Sequence, residues 1–245
     1  MQQIFPDWNA EVDPLDSYLR DARPAPPGRP WVMLNMIASL DGATALDGLS
    51  GGLGGPCDRA VLAALRACCD WILVASGTAN AERYRMPKGN PAARTHRLQK
   101  QQTAAPRLAI VTASGKLDPT IPALANEGQP RPLVISGTLA DAARLSALNA
   151  EIVRLPMPKP QPQAVLQTLH ERGATVVLCE GGPTWNGQML QAGVVDEMCI
   201  SISPILVGGD SPRVVAAAPQ TTVRKMRLRR LLTEDGLLFA RYTRI

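Results

Sequence analysis

The sequence predicts an α/β protein with a mostly parallel central sheet, and three observations predict it. Short runs such as "WVMLNMIAS", "WILVAS", "RLAIVT", "PLVISG", "EIVRL" and "TVVLCEGG" are almost wholly apolar, as strands buried on both faces are. Segments with apolar residues at helical spacing separate them, the alternation expected of crossover connections. The C-terminal part changes style. Met198, Ile200 and Ile202 alternate with Cys199, Ser201 and Ser203, and Asp235-Gly236 joins two further strand-like runs as a hairpin turn, so antiparallel strands finish the sheet.

Residues 1–30 carry several acidic groups and then "RPAPPGRP", whose prolines disfavour helix, so this stretch reads as an extended surface arm ahead of one domain over 31–245. "GPCDRAVLAALRACC" starts a helix at Pro56, with Asp58 in its first turn and Val61, Leu62, Leu65 and Cys68 along one face. In "TLADAARLSAL" Thr138 and Asp141 stand as a capping pair, and "PQAVLQTLHERG" ends at Gly173, a natural C-terminal cap. In "RKMRLRR", Arg227 and Arg229 alternate with Met226 and Leu228, as charges on the solvent face of an edge strand do.

Composition narrows the function classes. The chain has 245 residues, 45% hydrophobic and 19% charged, ordinary for a globular protein and too apolar for a disordered one. No run approaches the ~20 apolar residues of a membrane helix, and the start lacks a secretory signal, so a cytoplasmic protein without membrane contact is expected. Five cysteines without C-x-x-C spacing read as buried, reduced thiols, with no metal site. The net charge of +5 suits a phosphorylated ligand, a polyanion or simple solubility. Nucleic-acid binding ranks last, because no aromatic residue interrupts the basic run for base stacking. His96 and His170, the only histidines, read as surface residues, and no G-x-S-x-G elbow is present.

Two glycine-bearing turns follow apolar strands. In "VVLCEGGPTWNGQML" the strand ends in Glu180-Gly181-Gly182 and Pro183 starts a helix with Trp185 and Met189 on one face. The segment suits a dinucleotide pyrophosphate, through bare backbone and a helix N-terminus, and equally suits a plain tight turn. "WILVASGTANAERYRMP" opens likewise into Ser76-Gly77-Thr78. Neither G-x-G-x-x-G nor the P-loop pattern occurs, which disfavours an ordinary Rossmann domain. Glu180 lies at a strand's carboxyl end, where ligands of open α/β sheets gather, or pairs with an arginine. Asp41 forms a turn with Gly42, and Arg66 is either an exposed helical charge or a phosphate ligand.

Together, "ASLDGATALDGLSGG", "LRACCDWILVASGTANAERYR" and "LCEGGPTWNGQMLQAGVVDEMCISISPILVGG" resemble the pyrimidine reductase domain of riboflavin biosynthesis, in its stand-alone bacterial form, over about residues 31–245. The resemblance implies a dihydrofolate-reductase-like three-layer sandwich, a homodimer, and NADPH-dependent reduction of a ribosyl group to a ribityl chain on a phosphorylated aminopyrimidine. It implies cofactor contacts at Ile37, Ala38, Gly52, Thr78, Glu82, Ser114 and the turn Gly181, Gly182, Pro183, Thr184, Trp185, Asn186 and Gly187. It further implies substrate contacts at Ser50, Arg66 and Glu180, with Arg66 on the phosphate, and reaction-centre positions at Asp41 and Glu180. Gly42 to Gly55 is then expected to be a mobile lid that excludes water. Two positions depart from the family: Ala43 replaces a basic residue and Gly52 an aromatic one. The alternatives are reduction of a dihydrofolate- or pterin-like ring on the same fold, and a non-catalytic NADPH-binding protein. No deaminase signature, His-x-Glu with Pro-Cys-x-x-Cys, is present.

Overall fold

The computed structural model describes residues 1–125, 130–216 and 223–245. Its strands are β1 (Gln2–Phe5), β2 (Trp31–Ser39), β3 (Trp71–Ala75), β4 (Arg107–Thr112), β5 (Leu133–Ser136), β6 (Glu151–Arg154), β7 (Val176–Cys179), β8 (Glu197–Ser203), β9 (Met226–Glu234) and β10 (Leu237–Arg244). They form one sheet in the order β1-β9-β10-β8-β2-β7-β3-β4-β5-β6. From β8 to β6 every pairing is parallel, while β10 joins β8 and β9 antiparallel and β9 joins β1 antiparallel.

The helices are α1 (Pro14–Leu19), α2 (Pro56–Cys68), α3 (Ser76–Ala81), α4 (Arg94–Gln99), α5 (Pro122–Ala125), α6 (Ala142–Ser146), α7 (Pro162–His170) and α8 (Pro183–Gln191). Each sheet face carries its own core. On one, Val61, Leu65 and Cys68 of α2 pack with Met33, Ile72, Leu178 and Phe239. On the other, Val165 and Leu169 of α7 and Trp185 and Met189 of α8 pack with Leu34, Leu73 and Val177. No described helix is long and apolar enough to cross a membrane.

The helix starting at Pro56, the helix ending before Gly173 (φ +84°) and the Asp235-Gly236 hairpin form as their residues predict. All five cysteines are free and buried, and burial pushes the Cys179 thiol up to about 12.

Several local readings are corrected. Residues 1–30 are not simply an extended arm: the Asp13 side chain accepts from the Leu15 N–H and, with Pro14 following, starts α1, whose Tyr18 is buried. The proline stretch itself makes one turn, where the Arg29 N–H donates to the Pro26 carbonyl, and is stitched to the start of β8 by arginines. Arg29 forks onto Asp196 at 2.5 and 2.7 Å, and Arg23 reaches both oxygens of Glu197 at 3.1 Å. Asp141 alone caps α6, taking the N–H groups of Ala143 and Arg144, and Thr138 has no part in it. β6 is a half-exposed edge strand rather than a doubly buried one. β9 is an edge only in part, since β1 covers its Leu231–Thr233 stretch. In β8 the inward face is the small and polar one, because Glu197, Cys199, Ser201 and Ser203 are buried while Met198, Ile200 and Ile202 are half-exposed.

Candidate active site

The carboxyl ends of the central strands open into a cleft of ≈ 880 Å³, within the range of small-molecule sites. β2 supplies its floor through Asn35, Met36 and Ile37. One wall is the face of α2 that carries Asp58, Leu62 and Arg66, residues about one or two turns apart. Leu62 therefore looks into the cleft rather than into the core. The other wall is α3 with the segment that follows it, from Thr78 to Asn90.

At the centre lies a three-residue network. Glu180 follows β7 directly and is buried, yet its carboxylate meets two donors: Arg66 forks onto it at 2.7 and 2.6 Å, and the Tyr84 hydroxyl donates to Oε2 at 2.6 Å. Charge-assisted bonds of this kind offset the cost of burying a carboxylate. Burial raises the Tyr84 phenol, and the neighbouring Glu180 raises it further. Arg66 accordingly spends its guanidinium on Glu180, with a third of its side chain exposed to the cleft. Tyr84 escaped the sequence reading, although "AERYR" begins three residues after Thr78.

The second glycine turn faces Thr78. Gly181 takes φ +89°, and a Cβ on Gly182 would stand 2.4 Å from the Thr78 Oγ1, so the Thr78 side chain would have to shift to admit one. Behind it α8 begins with Pro183, and among the described residues no side chain caps its N-terminus. Gly182, Pro183 and Thr78 line the cleft and Thr184 is exposed beside it, a cradle that fits an anionic group. The remaining residues of this turn face inward. Trp185 and Gly187 are buried, and Asn186 donates to the Val214 carbonyl at 2.9 Å, tying a C-terminal loop to the helix.

The loop after β2 is docked. Ser50 donates from both its N–H and its Oγ to Glu82 Oε1 at 2.8 Å, so residues expected to hold different ligands hold each other, at the cleft's edge. Thr44 donates to the Pro212 carbonyl, Ser211 Oγ accepts the N–H groups of Thr44 and Ala45, and Leu53 is buried. Ala43 is buried as well.

Asp41 lies outside the cleft lining. Its carboxylate accepts from Ser39 Oγ and from the N–H groups of Gly208 and Val207, which together hold it down at about 2. Gly52 packs on Leu46, and Ala38 is buried beside Ile202; neither lines the cleft. Ser114 is exposed in the turn after β4, where its Oγ accepts the Lys116 N–H. The structure thus brings together Ile37, Ser50, Arg66, Thr78, Glu82, Glu180, Gly182 and Pro183, and leaves Asp41, Gly52 and Ser114 apart from them.

A cleft at strand ends, pairing an uncapped helix N-terminus with a buried charged cluster, defines a ligand-binding α/β protein of the enzyme type. The chain belongs to the RibD C-terminal domain family, matched over residues 30–235. It is 30% identical over 189 residues, 76% of this chain and 83% of the relative, to the 2,5-diamino-6-ribosylamino-4(3H)-pyrimidinone 5′-phosphate reductase of Methanothermobacter thermautotrophicus. To the enzyme of the same name from Archaeoglobus fulgidus it is 28% identical over 88% of this chain and all of the relative. The crystal structure of a pyrimidine reductase-like protein from Corynebacterium diphtheriae superposes with a TM-score of 0.80 at 26% identity, covering 88% of this chain and 92% of that one. The fold is the dihydrofolate-reductase-like sandwich of such reductases.

Proposed function

We propose that the protein reduces the ribosyl group of a phosphorylated ribosylaminopyrimidine to a ribityl chain, using NADPH. The observation that carries this reading is the cleft itself, which places a bare-backbone cradle at Gly182 and Pro183 beside the Arg66–Glu180–Tyr84 network. Relatives named for this reaction span most of the chain. Gly182, the start of α8 and Thr78 would hold the dinucleotide's pyrophosphate, and Ile37 would flank the nicotinamide. A reduced nicotinamide supplies the hydride. Glu180 stabilises positive charge at the ribosyl carbon that accepts it, and Arg66 and Tyr84 fix that carboxylate in place. Ser114 and Lys116, exposed after β4, support a 2′-phosphate and hence NADPH over NADH.

The same reading includes a homodimer. Met198, Ile200 and Ile202 on β8 and their neighbours Tyr242 and Leu238 on β10 form a half-exposed apolar band, closed in the middle by buried Ala240, that a second copy would cover. The direct test follows absorbance of NADPH and of NADH, separately, with the pyrimidinone phosphate and in parallel with dihydrofolate. NADPH oxidation with the pyrimidine alone is expected. Turnover of dihydrofolate alone would reassign the substrate, and cofactor binding with no oxidation would make this a nucleotide-binding protein.

A further inference from the structure

The reduction needs a proton as well as a hydride, and the Glu180 carboxylate is already occupied by the Arg66 fork and the Tyr84 hydroxyl. A second carboxyl lines the same cleft. Asp58 sits in the first turn of α2, partly buried, and accepts from the Ser201 Oγ at 2.6 Å. Ser201 stands opposite Ile37 in the β2–β8 register, so Asp58 overhangs the part of the floor assigned to the nicotinamide. Glu180 approaches that floor from β7, on the far side of β2. Two strand spacings, about 10 Å, separate the flanks, which is room for a reacting sugar between two carboxyl groups.

The two carboxyls have opposite surroundings. Glu180 has a guanidinium forked onto it, whereas no ion pair reaches Asp58 among the described residues. Arg59 is the charged neighbour on its own helix, β8 offers Ser201 with buried Cys199 beyond, and Gly54 leaves room for Oδ2 that a Cβ there, 2.6 Å away, would take. Elsewhere the cleft lining carries Arg83, Arg85, Lys88 and Arg97, while Glu82, Arg66 and Glu180 are already bonded to Ser50 or to one another. Two acids whose environments differ in this way divide into a proton donor and a standing anion.

We propose that Asp58 is a catalytic residue, the general acid that protonates the ribosyl ring oxygen of the substrate. This rests on the reductase reading above. The Asp58 O–H gives its proton to O4′, the C1′–O4′ bond breaks with its electron pair remaining on that oxygen as a hydroxyl, and the exocyclic nitrogen's lone pair forms C1′=N⁺ opposite Glu180. C1′ then gains hydride, the C=N pair returns to nitrogen, C1′ is reduced and the nicotinamide oxidised. Water reprotonates Asp58. Burial, the largest influence on the Asp58 carboxyl, raises it, and closing the cleft over anionic ligands raises it further.

The test compares wild type, Asp58→Asn and Ser201→Ala with NADPH and the pyrimidinone phosphate, together with a carboxyl-carbon NMR titration of the ligand-free proteins. Asp58→Asn is expected to lower kcat by about 10²–10⁴-fold, with NADPH affinity by calorimetry and melting temperature preserved. A general acid works protonated, so the rate falls as pH rises through its pKa. The Ser201 hydrogen bond lowers that pKa, so Ser201→Ala should move the basic limb of kcat, and the Asp58 resonance, to higher pH. An active wild type with Asp58→Asn within threefold of it, or an Asp58 resonance titrating no higher than an ordinary aspartate, overturns the assignment while sparing the reductase reading. A wild type inert toward the pyrimidine removes that reading, and this role with it.

Discussion

Asp196 and Glu197 show how single charged residues hold the arm to the sheet. Burial alone would raise the Glu197 carboxyl, but the charges and hydrogen bonds of Arg23 and Arg241 outweigh it and keep the group below the ordinary carboxylate range. Glu197→Gln leaves two buried guanidinium groups short of a counter-charge and should cost about 3–5 kcal/mol in urea unfolding. Asp41 makes a different prediction. Its folded pKa, about 2, lies below the unfolded value, so its contribution is complete above the ordinary aspartate pKa and fades as pH falls toward 2. Protection factors at Val207 and Gly208, taken against the intrinsic exchange rate at each pH, should fall over that acid window in wild type, and Asp41→Asn should show the lower protection already at neutral pH. Protection factors constant across that window in wild type would refute the tie.

At the level of elements, the turn from β7 into α8 and the loop after β2 carry the next expectations. A methyl group on Gly182 meets the Thr78 hydroxyl at 2.4 Å. Gly182→Ala should therefore weaken NADPH binding about tenfold or more, roughly 1.4 kcal/mol, read by calorimetry. The loop after β2 was expected to be free from Gly42 to Gly55, but only its distal part can move without breaking the bonds of Thr44 and Ala45 to Ser211 and Pro212. Ser50→Ala removes one of the two bonds to Glu82 that hold that part down. It should speed proteolysis between Leu46 and Gly52 and alter kcat more than melting temperature. Unchanged cleavage would show that Leu53, not Ser50, secures the loop. These ties were invisible beforehand because Ser211 and Pro212 lie far along the chain, in a stretch whose local pattern is only that of a loop.

For the whole molecule, the proposed homodimer would form through the apolar band on β8 and β10. Light scattering should give a dimer for the native protein, and Ile200→Glu should yield monomers that keep the fold by circular dichroism. A monomeric wild type would remove the proposal. The parallel sheet, its strand-to-helix turns and the C-terminal hairpin were all legible locally, since each depends on residues a few positions apart. α1 was legible too, through Asp13-Pro14, but the prolines after it dominated the reading.

Periodicity, turn chemistry and three motifs in one order determined that this chain forms an α/β sandwich with glycine-bearing turns after β3 and β7. They determined those features because backbone preference and burial pattern act over a few neighbouring residues. Tertiary structure alone decided that Arg66 pairs with Glu180, that Tyr84 joins them, that Ser50 meets Glu82, and that Asp58 enters the cleft. Those partners are separated by long stretches of chain, and a side chain's charge state and direction depend on what the fold packs beside it.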